Sequence, residues 1–152
     1  MTSSSMRVDV TQSGSDDAAT HMFAEYLAAW GRHDPDAVAA FHTEESVFTV
    51  DALGVDAVGR AEVRAAVAAV FALWPDIRFN ERRLYVSADL AVFESLVEGT
   101  LASRLTIGDT VIEPNGRIET FLLCDVFRLR DGRIVRKDAY LDALGYAQRM
   151  RP

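Results

Sequence analysis

The spacing of apolar residues changes at Pro75, and this change constrains the fold more than any other feature of the chain. Before Pro75 the apolar residues recur at helical spacing, most clearly from Asp17 to Trp30. After Pro75 they form long runs that are separated by the turn-forming stretches "SAD", "IGD", "PNG" and "RDG". Helices followed by a series of strands predict an α+β fold with an antiparallel sheet.

Three helices and one early strand are predicted before Pro75. The first helix occupies 17–30, and Gly31 supplies its stop. The second helix is short and begins with Asp34 as N-cap and Pro35 as its first residue. The other predicted segments are a strand at 45–51, a connecting loop at 54–60, a third helix at about 61–74 and strands at 77–86, 90–105, 117–129 and 133–141.

The bulk properties favour one domain over residues 17–152, preceded by a disordered leader at 1–16. The net charge of −7 argues against nucleic acid and against anionic membrane surfaces as partners. The polar N-terminus has no apolar segment typical of a signal peptide, and no stretch approaches the length of a membrane span. A cytoplasmic location is therefore expected.

One acidic residue stands out in the stretch "LLCDVFRLRDGRIV" at 122–135, which is typical of two strands around an Asp-Gly turn. Asp125 lies in an otherwise apolar run. An ionised carboxylate in a buried strand is costly unless it is paired, hydrogen-bonded or kept protonated. Asp125 is therefore a candidate functional residue, whereas the neighbouring Cys124 is expected to be an inert buried thiol.

The predicted strands are apolar on both faces. In "LLCDVFRLR" the residues Leu123 and Phe127 share one parity, while Leu122 and Val126 share the other. An antiparallel sheet usually leaves one face in water. Helices covering one face and a second subunit covering the other would satisfy the pattern, so a homodimer is expected.

The order of motifs resembles that of a known family. A first helix, then "HDPDAVAAFHTEESVF", then "VGRAEVRAAVAAVF", and then long strands ending in "DVFRLRDGRIVRKDAYLD" resemble the SnoaL-like branch of the nuclear-transport-factor-2-like superfamily. This resemblance implies a cone-shaped, curved antiparallel or mixed sheet wrapped around three N-terminal helices, with a hydrophobic pocket. Members include polyketide cyclases, ketosteroid isomerases, limonene epoxide hydrolases, dehydratases and non-catalytic binding proteins, so the fold alone leaves the activity open.

The ketosteroid isomerases of this superfamily offer a residue pattern to compare. Tyr26, Asp51 and Asp125 match their catalytic tyrosine, general base and protonated aspartate, with one inserted residue needed at Asp51. The resemblance implies that Tyr26 and Asp125 donate to an oxyanion on a carbonyl substrate while Asp51 moves a proton. That enzyme class is a known case of a carboxylic acid kept neutral by an apolar site.

The sequence leaves several alternatives open. The first expectation is a cofactor-free enzyme that isomerises or cyclises a polyketide- or steroid-like carbonyl compound; the others are a binding protein for a small hydrophobic ligand and an epoxide hydrolase with paired carboxylates. Asp138 and Asp142 are further acid/base candidates.

The histidines have no metal-ligand spacing, and there is no Gly-rich cofactor loop, so neither metal nor cofactor is expected. The aromatic residues expected to line the pocket are Trp30, Phe48, Phe71, Trp74 and Phe127.

Overall fold

The structure is a computed structural model, and it describes residues 14–152. Helix α1 (Gly14–Gly31) begins three residues before the predicted start at Asp17, so residues 14–16 of the predicted leader belong to it. The rest of that leader lies outside the described residues. Helix α2 (Pro35–Ala40) begins as predicted, because the Asp34 carboxylate accepts a hydrogen bond from the amide of Ala37 at 3.0 Å.

Two further helices complete the set. Helix α3 (Arg60–Leu73) stops just before Trp74 and Pro75. Helix α4 (Ala143–Arg149) is capped by Asp142, which accepts from the amide of Gly145 at 2.9 Å. The prediction that only strands follow Pro75 is wrong at α4, because a helix of seven residues is too short to show a clear apolar period.

Six strands form one mixed sheet in the order β2-β1-β8-β7-β4-β3, in which only the contact between β1 and β8 is parallel. The predicted loop at 54–60 is wrong, because part of it forms β2 and pairs with β1. Two short strands form a separate hairpin, so the predicted strand at 90–105 is interrupted. The strands are β1 (His42–Val50), β2 (Val55–Val58), β3 (Arg78–Val86), β4 (Leu90–Thr100), β5 (Leu105–Ile107), β6 (Thr110–Ile112), β7 (Ile118–Arg130) and β8 (Arg133–Leu141).

The inner face of the sheet carries two apolar clusters. The principal core lies between α1, α3 and the sheet, and includes Phe23, Tyr26, Trp30 and Phe127. The second cluster, called here the C-terminal core, joins α4 and the β5–β6 hairpin to the sheet through Trp74, Val97, Leu105, Ile112, Phe121, Tyr146 and Met150. The helices and the curved sheet therefore enclose a continuous apolar interior, as the predicted α+β cone requires.

The outer face of the sheet is also partly apolar. Leu96 pairs with Leu122 on adjacent strands, and both side chains are exposed. Tyr85 and Tyr140 are exposed on the same face. This pattern agrees with the one that led to the expectation of a homodimer, which stays a prediction. Among residues 14–152, no helix combines the length and apolar character needed to cross a membrane.

Candidate active site

A buried ion pair lies at the inner face of the sheet. Strand β7 directs Asp125 inward and strand β8 does the same for Lys137, because each shares the inward parity of its strand. Lys137 Nζ lies 3.2 Å from Asp125 Oδ2, and both side chains are about 95% buried, with 5% and 4% of their surface exposed. The carboxylate that is anomalous in the sequence therefore has a cationic partner.

Lys137 is enclosed by aromatic rings. Its Nζ lies 4.5 Å from the ring centroid of Trp30, 4.8 Å from that of Phe48 and 5.4 Å from that of Phe127. The Tyr26 ring is at 6.0 Å. A cation is attracted to the faces of such rings, most strongly where water is excluded. The aromatic residues thus stabilise an ammonium group that the apolar interior would otherwise disfavour.

Sequence reasoning missed Lys137 as a site residue, although the sequence carries a signal for it. Lys137 is the only lysine of the chain, and it shares strand parity with Ala139 and Leu141, which also face inward. A lone lysine at an apolar parity position is the cationic counterpart of Asp125 in its own strand. Taken together, the two anomalies point to a pair.

Several polar atoms beside the pair lack hydrogen-bond partners. They include Asp125 Oδ1, the Tyr26 hydroxyl and Trp30 Nε1, all of them buried. Buried polar atoms are nearly always satisfied in folded proteins, and leaving one unpaired costs about 1–3 kcal/mol. Three such atoms next to one ion pair give the site an unused capacity to bind a polar ligand.

The surroundings shift the pKa values of both Asp125 and Lys137. Burial raises the pKa of Asp125, and the facing Lys137 ammonium opposes that rise in part. Burial also lowers the pKa of Lys137, but the Asp125 carboxylate and Tyr26 outweigh it, so the pKa of Lys137 is raised. Lysine is therefore held as a cation, and the carboxyl group gains a proton more readily than an ordinary aspartate. A raised carboxyl pKa suits a group that accepts a proton and then returns it.

Tyr26 completes the polar cluster. Burial raises the pKa of its hydroxyl, while the nearby Lys137 ammonium and the Trp30 indole N–H act in the opposite direction. The hydroxyl lies near both groups without a hydrogen bond of ordinary geometry to either. It therefore stays protonated and remains available as a donor.

His42 is a second buried polar residue near Tyr26, with 5.9 Å between the ring centroids. Its Nδ1 lies 2.8 Å from Ser46 Oγ, and its Nε2 has no partner. Burial, with the positive charges of Lys137 and Arg60, lowers the pKa of His42 to about 3. The imidazole is therefore neutral at ordinary pH, and Lys137 is the cation of the site.

The ion pair opens onto small cavities. One of about 40 Å³ is lined by Trp30, Phe48, Trp74 and the ion pair, among others. Another of about 10 Å³ reaches Tyr26. A surface groove of about 670 Å³ between α1 and β3 shares Trp30 and Phe79 with both. Ligand pockets usually measure about 300–1,000 Å³, and the two cavities are much smaller than that. A substrate that enters from the groove must therefore displace the side chains that separate the groove from the cavities.

The structure brings some of the predicted site residues together. Tyr26 and Asp125 meet beside Lys137, and Trp30, Phe48 and Trp74 line the 40 Å³ cavity. Phe127 packs against Tyr26 with ring centroids 5.6 Å apart. Two of the aromatic residues predicted to line the pocket, Phe71 and Phe127, line neither small cavity. Phe71 packs behind Trp30, at 5.2 Å between ring centroids.

Asp51 is not brought to the cavity. The register of β1 with β8 is continuous from Phe48 to Val50, so no bulge turns the next residue inward. Val50 takes the inward position and lines the cavity, whereas Asp51 is exposed in a short 3₁₀ helix, Asp51–Leu53. The inserted residue needed to align Asp51 with a general base is therefore absent from this strand.

The two further acid/base candidates have structural partners. Asp138 accepts hydrogen bonds from Thr49 at 2.7 Å and from Arg136 at 2.8 Å, and Arg136 lowers the pKa of its carboxyl group. Asp142 caps helix α4. Among the described residues that line the two small cavities, Asp125 is the one carboxylate. No group of three or more His, Cys, Asp or Glu side chains in residues 14–152 is placed to hold a metal ion.

Comparison with known proteins places the chain in a family. Residues 23–137 match the SnoaL-like domain, which is well over half of the chain. The protein belongs to the SnoaL-like family. No curated protein matches the chain in sequence.

Solved structures share the fold of this SnoaL-like protein. A candidate SnoaL-like polyketide cyclase from Jannaschia sp. CCS1 superposes with a TM-score of 0.77 at 14% identity, covering 95% of this chain and 100% of the other. A candidate polyketide cyclase from Xanthomonas campestris pv. campestris gives 0.71 at 22% identity, covering 91% and 100%. TerC, crystallised with polyporic acid, gives 0.69 at 15% identity, covering 86% and 96%. Identities this low show a shared fold and nothing more.

Proposed function

We propose that this SnoaL-like protein is an acid/base enzyme of the polyketide cyclase type, which isomerises or cyclises a hydrophobic carbonyl compound by proton transfer. One observation carries the proposal. Asp125 Oδ2 and Lys137 Nζ lie 3.2 Å apart in a buried aromatic interior, and Asp125 Oδ1 has no hydrogen-bond partner. Buried charges are costly, and perturbed, incompletely satisfied groups of this kind are typical of functional sites.

The geometry suits a division of roles. The Lys137 ammonium and the Tyr26 hydroxyl would bind the substrate carbonyl oxygen, where negative charge develops on enolisation. Asp125 Oδ1 would take a proton from the adjacent carbon. In an isomerisation the same carboxyl returns the proton to another carbon; in a cyclisation the enolate carbon attacks a second carbonyl, whose alkoxide takes the proton. This assignment differs from the roles that the resemblance implied, because Lys137 replaces Asp125 as oxyanion donor and Asp125 replaces Asp51 as base.

The comparisons support this class of reaction at a coarse level. Two of the similar structures are described as candidate polyketide cyclases, and TerC was crystallised with polyporic acid. Polyketides combine an apolar carbon skeleton with carbonyl oxygens. A cavity with aromatic walls and a buried cation is complementary to that chemistry.

The test is turnover of a panel of enones and dienones by three variants. We expect Asp125→Asn and Lys137→Met each to lower kcat/KM by about 10²–10⁴-fold, and Tyr26→Phe by less. Asp131→Asn is the matched control, because Asp131 lies in the β7–β8 turn at a positive φ of 51° that asparagine also tolerates. Full activity in folded Asp125→Asn would overturn the proposal.

The same panel separates the alternatives. Loss of activity in Asp51→Asn with normal activity in Asp125→Asn would return the base role to Asp51, as the resemblance implied. Binding of panel compounds without turnover would favour a non-catalytic binding protein. Epoxide opening by paired carboxylates is not favoured, because Asp125 is the one carboxylate among the described residues lining the small cavities.

For the assembly, we propose a homodimer through the outer face of the sheet. The exposed side chains of Leu96, Leu122, Tyr85 and Tyr140 on that face support it. Sedimentation equilibrium should give twice the chain mass, and Leu122→Glu should give the mass of one chain. A monomeric wild-type protein would contradict the proposal.

A further inference from the structure

Two aromatic side chains separate the surface groove from the buried ion pair. Among the described residues, Trp30 and Phe79 are the two that line the groove of about 670 Å³ and both small cavities. Their rings are in contact, with 5.3 Å between the ring centroids. A ligand that moves from the groove toward the ion pair therefore meets this pair of rings first.

The surroundings hold Trp30 in place. Trp30 is only 4% exposed, and its ring centroid lies 5.2 Å from that of Phe71 as well. Lys137 Nζ lies 4.5 Å from the Trp30 ring centroid. Moving Trp30 would break a second aromatic contact and remove a ring from a buried cation. Trp30 is therefore the fixed half of the wall.

Phe79 has fewer constraints. It is partly buried on β3, which is the edge strand of the sheet and pairs only with β4. The next four residues of β3, 80–83, are all exposed. Within residues 14–152, Trp30 supplies the one aromatic contact recorded for the Phe79 ring. A side chain with open space beside it can change rotamer without displacing its neighbours, and the groove provides that space.

We propose that Phe79 is a gate, whose ring moves from its contact with Trp30 into the groove and thereby joins the groove to both cavities. The open form gives an apolar compound a path to Asp125 and Lys137, and the closed form shields the ion pair from water. The inference rests on the proposed function only in naming this ion pair as the place that the ligand reaches.

The test is the rate at which a reagent reaches a thiol placed inside the cavity. Ala139 lines the 40 Å³ cavity and pairs with Asp125 on the adjacent strand, so Ala139→Cys reports arrival at the ion pair. Cys124→Ser in the same protein removes the native thiol, which lies on the outer face. Benzyl methanethiosulfonate is the probe because it carries an apolar ring and forms a disulfide with a thiol. Mass spectrometry gives the labelling rate.

Three variants of this reporter protein locate the entrance. We expect Phe79→Ala to raise the labelling rate about tenfold or more, because it removes the ring contact that holds the closed form. Phe71→Ala is the matched control: it also removes a phenyl ring from Trp30, but Phe71 is not among the residues that line the groove or the cavities. Leu53→Ala tests a second route, because Leu53 lines the 40 Å³ cavity and not the groove. Each control should raise the rate by less than about threefold.

A second measurement keeps Phe79 in place. Rotation of one side chain exposes little surface, so the labelling rate of the reporter protein should not change with urea below the unfolding transition. Access through global unfolding would instead raise the rate with the slope of the urea unfolding curve. Such a slope, equal acceleration by Phe71→Ala and Phe79→Ala, or acceleration by Leu53→Ala alone would each overturn the inference.

These outcomes are separable from failure of the proposed function, because labelling of a thiol requires no turnover. Full turnover in folded Asp125→Asn would overturn the acid/base proposal while the effect of Phe79→Ala on labelling persists. Conversely, loss of turnover in Asp125→Asn with no effect of Phe79→Ala on labelling would leave the proposed function standing and remove the gate.

Discussion

The interior contains two tryptophan–tyrosine pairs that are alike in ring geometry and different in chemistry. Trp30 and Tyr26 lie in the principal core with ring centroids 6.4 Å apart, and Trp74 and Tyr146 lie in the C-terminal core at 6.1 Å. Only the second pair makes a hydrogen bond of ordinary geometry, although the Trp30 N–H group lies near the Tyr26 hydroxyl. The polar groups of the second pair therefore satisfy each other, whereas the first pair has unsatisfied polar groups beside a buried ion pair.

The difference shows how one fold can separate stability from function. In the C-terminal core, the Trp74–Tyr146 hydrogen bond satisfies both groups and fixes α4 against the sheet. In the principal core, the unsatisfied groups and the Asp125–Lys137 pair make the folded state less stable than an apolar core of the same volume would be. Such a loss of stability is expected at a site where a ligand supplies the hydrogen-bond partners that the protein lacks.

The largest expected effect concerns the charged pair beside Tyr26. Lys137→Met leaves the Asp125 carboxylate buried and unpaired, and should lower the free energy of unfolding by about 3–5 kcal/mol at neutral pH. The double variant Asp125→Leu/Lys137→Met should restore stability to within about 1 kcal/mol of the wild-type protein, because no charge is then left in the core. Urea unfolding measures both. A single variant as stable as the wild-type protein would show that the pair is not buried as described.

The next effect is a pH dependence that also belongs to the principal core. The pKa of His42 is about 3 in the folded protein and about 6.5 when unfolded, so the unfolded chain binds the extra proton between these values. Stability from this group is complete above pH 6.5 and is lost as the pH falls toward 3. The loss between pH 7 and pH 5 should be about 2 kcal/mol.

The matched variant for this pH effect is His42→Gln. Asp125, whose raised pKa acts with the opposite sign, is present in both proteins, so its contribution cancels in the difference between their unfolding free energies. The difference should therefore change by about 2 kcal/mol between pH 7 and pH 5. Parallel pH profiles would show that His42 is solvated or paired in the native protein.

The smallest effect compares the two tyrosines directly. Tyr146→Phe removes the acceptor of the Trp74 N–H group and should destabilise the protein by about 1–2 kcal/mol. Tyr26→Phe removes a buried hydroxyl that lacks a hydrogen bond of ordinary geometry, so the protein should not be destabilised and should gain up to about 1 kcal/mol while turnover falls. Thermal or urea unfolding of the two variants gives the comparison. Equal destabilisation by both would remove the distinction between the cores.

Much of the fold could be predicted from local signals. The N-cap at Asp34, the stop at Pro75 and the long apolar runs after it are each read from neighbouring residues, and each agrees with the structure. The errors at β2, the β5–β6 hairpin and α4 all concern short segments. Strand β2 pairs with the neighbouring β1, strand β5 pairs with β6, and α4 packs on β7. Short segments carry little periodic signal of their own.

The candidate site also has features that the sequence predicts and features that it does not. The sequence by itself determined that Asp125 is a carboxylate in an otherwise apolar strand, and the resemblance pointed to a pocket that it shares with Tyr26. Only the tertiary structure decided that Lys137 faces Asp125 and that Asp51 lies outside the cavity. It also decided that Trp74 makes a hydrogen bond of ordinary geometry whereas Trp30 does not. The physical reason is that alternation along a strand gives the face of each residue, whereas pairing depends on the register between strands and on helices that pack from elsewhere in the chain.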